Sequence, residues 1–340
     1  MSQRRSIPDL TAELGRAAPG ADGEACLRRS ARAAIRLEFA TVPPYLTAQW
    51  SVEDQGHDVA NTINEVLRDE MSHMGLACNM LVGLGESPDL ATAEFVPTYP
   101  GGLPGDVNPG LAVWLKRLTP AQLKTFLDIE YPDGGPITRE AVSFDTIGAF
   151  YAALSRAFRA VNPCLDATRQ RTAGGFHVDV HPLPTVEKVL EAIDVIRLQG
   201  EGSRAEPTAG DPEGTLAHFY RFREVYVGAK YIYEAGTWGH SGPVVPMPAV
   251  VPMADIPPGG YRQADVSADV WTLLHEFDTT YSLMLRQLTR AWRDPNAPLG
   301  DFSGDDPIRT MGLLQQPAQR LMALERPDGR GNYGPCFRLV

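Results

Sequence analysis

Glu70 and His73 stand three residues apart in the chain. On a helix this spacing places both side chains on one face, one turn apart. That face is otherwise apolar, with Ile63, Val66, Leu67, Met74, Ala77 and Leu81 at helical spacing. A carboxylate and an imidazole in an apolar interface cost free energy unless a cation or a hydrogen-bond partner meets them. The pattern therefore fits a metal site, and it also fits a glutamate at the edge of the face beside a hydrogen-bonded core histidine.

Glu38 is the second acid on an apolar helical face. It precedes the polar turn around Asp54 by about as many residues as Glu70 follows it. With a rise of about 1.5 Å per residue, equal arms of an antiparallel helix pair place the two carboxylates at the same height. Pro43 and Pro44 follow one turn beyond Glu38, and we expect them to kink the first helix and free backbone carbonyls there.

A metal site inside a helical bundle needs ligands from further helices. Glu201 closes a predicted helix between two glycines, and His218 lies among aromatic residues. Both have simpler interpretations, since Glu201 also reads as a solvated loop acid and His218 as a satisfied core histidine. His177 and His181 form a competing pair that could chelate from one face of a short strand.

The hydrophobic periodicity predicts an all-α bundle with long loops rich in proline and glycine. Two long helices are expected over 24–52 and 59–84, and the other predicted helices cover 111–118, 120–129, 143–161, 185–198, 215–226, 267–293 and 306–324. A short strand is expected over 176–180, and long loops over 85–110 and 236–260. We expect an N-terminal arm over 1–23, the bundle over 24–235, and a Pro-rich strap with C-terminal helices packed on the bundle over 236–340.

The composition excludes several classes of function. The formal net charge of −11 argues against a nucleic-acid or anionic-membrane surface, and no apolar stretch reaches the length of about 18 residues that a membrane span needs. Cys26, Cys78, Cys164 and Cys336 are scattered, which argues against structural zinc and favours reduced thiols in a cytoplasm. The nucleophile-elbow, P-loop and dinucleotide-binding motifs are absent from the sequence, so hydrolase, NTPase and dinucleotide functions lack support.

Several segments resemble the ferritin-like domain of the iminophenyl-pyruvate dimer synthase family, which also occurs in a larger enzyme of violacein biosynthesis. They are LEFATVPPYL at 37–46, DEMSH at 69–73, TIGAFY at 146–151 and QGEG at 199–202. The resemblance extends over residues 25–230. It implies a ferritin-like four-helix bundle with a C-terminal helical extension, and metal ligation by Glu38, Glu70, His73, Glu201 and His218.

One position departs from the family pattern. The third helix of the relatives has a glutamate where this chain has Ala149. A site without that carboxylate is expected to be asymmetric, to hold one metal tightly, to use Asp145 one turn earlier, or to be inactive.

The resemblance implies an iron-dependent oxidase or oxygenase of a specialised-metabolite pathway, with one or two ions and with another divalent metal as an option. The substrate would be a small amino-acid-derived or aromatic molecule, and the family name suggests oxidative imino-acid coupling. Ala149 keeps open the alternative of a non-catalytic partner or scaffold protein that has lost part of its metal site. A homodimer or a pathway-enzyme partner is compatible with either reading.

Overall fold

The computed structural model describes residues 7–132, 146–174, 178–200, 202, 207–208 and 214–340. Its α-helices are α1 (Ile7–Leu14), α2 (Ala21–Trp50), α3 (Asp58–Gly83), α4 (Pro120–Ile129), α5 (Ile147–Val161), α6 (Val186–Gly200), α7 (His218–Val227), α8 (Ala268–Arg293), α9 (Pro307–Gly312) and α10 (Gln315–Met322). A hairpin of β1 (Ile232–Glu234) and β2 (Thr237–Gly239) is antiparallel, and 3₁₀ turns occur at Pro104–Asp106 and Gln263–Asp265. The described chain is mostly helical, as the periodicity predicted.

The long helices α2 and α3 form the largest helix–helix contact. A short turn joins them, and the Nδ1 of His57 accepts a hydrogen bond from the backbone N–H of Val59 (3.1 Å) to cap α3. Helix α2 continues through Pro43 and Pro44 to its end. A proline nitrogen has no hydrogen to give the carbonyl four residues before it, so Pro44 leaves the oxygen of Ala40 without its helical partner. The hydroxyl of Tyr99 donates to that oxygen at 2.8 Å, which repairs the loss.

The remaining helices of the bundle pack around this pair. Helix α5 contacts α2 and α6, while α6 and α7 both contact α3, and α4 packs on α7. The N-terminus of α5 is capped by Thr146, whose hydroxyl accepts from the N–H of Ala149 (3.0 Å). Thr119 caps α4 in the same way, and Pro120 stands at its first turn. These caps fix where α4 and α5 begin, and so the position of each helix along the chain.

The C-terminal helices cover the outer side of α2. Trp50 stacks on Phe337 with a centroid distance of 6.1 Å and meets Phe277 of α8 edge-on at 6.2 Å. The chain end is held to α8 by Asp278, whose carboxylate accepts from the Nε of Arg338 at 2.7 Å. Within the part of the chain that the structure describes, every helix is too short or too polar to cross a membrane.

Two local predictions need correction, and two elements were not predicted. Residues 111–118 are extended rather than helical, because Val113 and Leu115 are buried at alternate positions and Val113 pairs with Gly101. The helix predicted over 306–324 is two helices, α9 and α10, because Pro317 lacks the N–H that would continue the ladder. The predicted arm contains α1, and the hairpin of β1 and β2 was missed. Part of the strand predicted over 176–180 lies outside the described residues.

Candidate metal centre

Three of the predicted ligands meet between α2 and α3. Glu38, Glu70 and His73 are buried and offer ligand atoms that all lie within 4.8 Å of one another. The Nδ1 of His73 is 3.4 Å from Oε2 of Glu38. We call these residues the His73 group. The equal-arm argument therefore placed the two carboxylates correctly, and the structure brings them to one height in the core.

A second group adjoins the first and shares one of its members. Glu70, Glu130 and His218 are buried and also offer ligand atoms within 4.8 Å of one another. The Nδ1 of His218 is 2.9 Å from Oε1 of Glu70 and 3.7 Å from Oε2 of Glu130. We call these residues the His218 group. Because Glu70 belongs to both groups, its carboxylate stands where it can bridge two ions.

Both histidines are oriented by a partner on the outer ring nitrogen. The Nε2 of His73 lies 2.9 Å from Oε1 of Gln199, and the Nε2 of His218 lies 3.2 Å from Oδ2 of Asp69. Each oxygen accepts a hydrogen bond from Nε2–H, so each ring presents Nδ1 to the carboxylates. This arrangement is the one that metal-binding histidines adopt, since the outer hydrogen bond fixes the tautomer and the ring orientation.

Two buried tyrosines donate to the carboxylates, and the hydroxyl of one threonine lies beside them. Tyr151 donates to Glu38 (2.5 Å) and Tyr45 donates to Glu130 (2.5 Å). The Oγ1 of Thr41 lies 3.1 Å from Oε2 of Glu70 and donates to the backbone oxygen of Glu38 at 2.7 Å. Burial, together with the nearby carboxylates, raises the pKa of each tyrosine hydroxyl well above its usual value, so both remain donors.

The charge balance of the two groups fits a bound cation. Burial and the charge of Glu130 raise the pKa of Glu70 to about 8. Burial opposes charging of His218, but the surrounding carboxylates of Asp69, Glu130 and Glu70 outweigh it and raise the pKa of the imidazole well above its usual value. Both shifts favour the protonated forms of Glu70 and His218. A metal ion bound at the site would displace these protons.

One buried atom supports this reading directly. The Nδ1 of His218 has no hydrogen-bond partner among the described residues, although an oxygen of Glu70 lies at 2.9 Å. A buried nitrogen whose contacts lack hydrogen-bond geometry is costly in a satisfied core. An imidazole nitrogen surrounded by carboxylate oxygens matches the donor set of iron, manganese or zinc sites. The residues present therefore fit a metal ion.

A cavity of about 20 Å³ lies against both groups, which is room for one water-sized ligand. Its polar wall contains Glu38, Glu70, His73 and Glu130, and its remaining wall is formed by Leu37, Thr41, Ile129, Ile147, Gly148, Tyr151, Ile196, Arg197 and Gly200. The apolar residues on this list exclude bulk water from the carboxylates, which strengthens electrostatic interactions inside the cavity.

The structure gathers Glu38, Glu70, His73 and His218 of the predicted ligands. Glu201 and the suggested substitute Asp145 lie outside the described residues, and so does His177 of the competing pair. Its neighbour His181 turns back to the carbonyl of Asp179 at 2.9 Å. Glu201 remains a predicted ligand, and the described residue before it, Gly200, lines the cavity.

Glu130 is the functional residue that the sequence reasoning missed. It directly follows the last residue of α4, and its side chain is buried. It lies four residues after Phe126 and three after Leu127, so it continues the buried face of that helix. The same criterion that selected Glu70, an acid on an apolar helical face, would have found it.

The chain matches the ferritin-like family model over residues 31–227, more than half of its length, and it belongs to that family. Among solved structures it is similar to a ferritin-like protein from Caulobacter vibrioides. That alignment has a TM-score of 0.61 and 20% sequence identity, and covers 92% of this chain and 97% of the other. No curated protein matches the chain.

Proposed function

We propose that this protein is an iron-dependent oxidase or oxygenase of specialised metabolism that acts on an amino-acid-derived or aromatic substrate. The observation that supports it is the pair of buried ligand groups joined by Glu70. Oxidative coupling of imino acids, the chemistry suggested by the resemblance to iminophenyl-pyruvate dimer synthases, is the specific reaction that we favour. Iron held by these residues would supply electron transfer between dioxygen and a substrate.

The chain's own residues have defined tasks in this proposal. His73 and His218 would each hold an ion through Nδ1, Glu70 would be shared between the two positions, and Glu38 and Glu130 would each complete one group. Glu201 is the further ligand that we propose from the sequence. The carboxylates would balance the charge of two divalent ions, and these ions would offset the burial and the charge of Glu130 that together raise the pKa of Glu70.

The tyrosine hydroxyls position the two outer carboxylates. Tyr151 fixes one oxygen of Glu38 and Tyr45 fixes one oxygen of Glu130, so the other oxygen of each is directed by the same contact. Ile129, Ile147 and Ile196 line the cavity beside them and keep water away from the reacting position.

The direct test is metal content followed by oxygen uptake. Protein produced with ferrous iron is expected to hold about two iron ions per chain by elemental analysis, with anomalous scattering at the iron edge from both groups. Adding ferrous iron to the metal-free protein is expected to consume dioxygen, whereas protein with Glu70→Gln should not. Asp58→Asn, which removes an exposed acid from the same helix, is the matched control.

The possible outcomes separate enzyme from scaffold. Purified protein that takes up no iron, manganese or zinc would overturn the proposal. Protein that binds metal without consuming dioxygen, alone or with aromatic 2-oxo acids and ammonium, would favour the non-catalytic partner suggested by Ala149.

A further inference from the structure

Arg197 is a cation in the wall of an acidic cavity. It lies in the last turn of α6 and lines the cavity together with the carboxylates of both ligand groups. A positive side chain in this position would pair with one of these carboxylates if its role were to neutralise them. Among the described residues, its ion pair is instead with Asp194, on the same helix and outside the cavity.

The guanidinium of Arg197 is poorly satisfied by the protein. Its Nε is buried and has no hydrogen-bond partner among the described residues. Its Nη1 is 3.8 Å from Oδ1 of Asp194, which is beyond hydrogen-bond distance, and the side chain of Asp194 is 54% exposed. The buried Arg221 differs, since its Nε donates to the oxygen of Leu216 at 2.8 Å. A buried donor that has no acceptor among the described residues is available to a ligand from outside the chain.

The position of Arg197 suits a ligand that reaches from the two ligand groups to this arginine, because all of them line one cavity. The cavity of about 20 Å³ is too small for an amino acid, so a ligand of that size must extend to the mouth. The side chain of Arg197 lines the cavity and is 35% exposed, so it lies between the interior and the solvent. Neighbouring wall residues such as Ile129 and Ile196 are apolar and suit a hydrocarbon or aromatic group. A cation in the last turn is favourable to any helix, but that effect does not require a buried Nε without a partner.

We propose that Arg197 binds the carboxylate of the substrate and holds it beside the two ligand groups. Carboxylates match the planar donor fork of arginine, which can give two parallel hydrogen bonds. The acidic cavity would otherwise repel an anion, so Arg197 is also the residue that selects for one. This inference rests on the proposed function and narrows the substrate class to carboxylates with an apolar or aromatic side chain.

The experiment compares two probes that differ only in charge. We suggest 3-phenylpropionate and its neutral amide, 3-phenylpropionamide, titrated by ligand-observed NMR against zinc-loaded protein. The wild-type chain is expected to prefer the carboxylate by about 10- to 100-fold, the range for a charged hydrogen bond. Arg197→Gln should remove this preference without changing amide binding, and Arg197→Lys should restore part of it. Arg159→Gln removes an exposed arginine from α5 and should change nothing.

Several results would overturn the inference. They are the absence of carboxylate preference in the wild-type chain, failure of 3-phenylpropionate to bind, or a preference that survives in Arg197→Gln because the carboxylate binds the metal directly. Arg197→Met retains the apolar stem and replaces Arg197→Gln if that variant unfolds. The titration is repeated on metal-free protein. A chain that binds no metal would contradict the proposed function. The carboxylate preference of the metal-free protein would still decide the role of Arg197.

Discussion

The His73 group and the His218 group have the same types of ligand, but their histidines have different hydrogen-bond partners. Each has its own histidine presenting Nδ1, and they share Glu70. The outer nitrogen of His73 faces the neutral amide of Gln199, whereas that of His218 faces the carboxylate of Asp69. The two groups therefore differ in the residues that orient the histidines and not in the ligand types.

An anionic partner makes an imidazole a stronger ligand than a neutral one does. Burial opposes ionisation of Asp69, but the hydrogen bond from His218 and the nearby positive charges lower the pKa of its carboxyl far below the usual range. Arg221 contributes to this, with its Nη1 at 3.5 Å from Oδ2 of Asp69. We therefore expect the His218 group to bind the tighter ion, and the His73 group to bind the weaker and more exchangeable one.

The largest effect is expected from the residue that the two groups share. Glu70→Gln should lower metal affinity at both positions by at least about 100-fold, more than the change caused by losing an orienting residue. Elemental analysis after gel filtration should then find almost no bound metal, against about two ions in the wild-type chain. Two ions retained in Glu70→Gln would show that Glu70 is not a common ligand, and Asp58→Asn should keep the wild-type content.

Replacing each histidine separately tests whether the two groups bind metal independently. His73→Ala is expected to leave one tightly bound ion per chain, and His218→Ala to leave one weakly bound ion, because each removes the ligand of one group alone. Metal content before and after dialysis against a weak chelator would measure the difference. Loss of both ions in each variant would mean that the groups fill only together. The exposed His275 on α8 provides the control, His275→Ala.

The two groups also differ in how far the sequence could predict them. The His73 group comes from one pair of long consecutive helices, so periodicity and equal arms were sufficient to bring Glu38 and Glu70 together. Glu130 follows a helix of ten residues whose position is set by its contact with α7, far along the chain. Local spacing carries no information about that contact, although the apolar face of α4 could have marked the residue.

The same limit explains the errors in the fold. The all-α class and the long helices follow from periodicity, which is a local property. Residues 111–118 contain apolar side chains that suit either a helix or an extended segment, and pairing of Val113 with Gly101 decides for the extended form. The sequence predicted freed carbonyls at the prolines of α2, but not that Tyr99 would satisfy one of them from a distant loop.

Substitution of Asp69 or Gln199, which orient the histidines, tests why the two groups are expected to differ in metal affinity. Asp69→Asn is expected to weaken metal binding at the His218 group by about 10- to 100-fold, because an amide can donate to Nε2 and shift the proton to Nδ1. Gln199→Ala should weaken the His73 group by an amount near the lower end of that range, and Gln199→Glu should strengthen it. Isothermal titration with zinc would measure each step. Equal losses in Asp69→Asn and Gln199→Ala would contradict the assigned difference in support.

The smallest expected effect, about tenfold in metal affinity per pH unit for each proton displaced, comes from competition with protons. Glu70 has a folded pKa of about 8 against a usual value of 4.5, so its protonated form stabilises the metal-free fold below pH 4.5 and that contribution is lost as the pH rises through 8. The raised pKa of His218 acts with the same sign. Between pH 6 and 8 the melting temperature of the metal-free protein should therefore fall, and the increase caused by zinc should grow.

Because His218 has the more strongly raised pKa of the two histidines, the zinc effect in His73→Ala should depend on pH more steeply than that in His218→Ala. Equal slopes would mean that Asp69 does not distinguish the two positions.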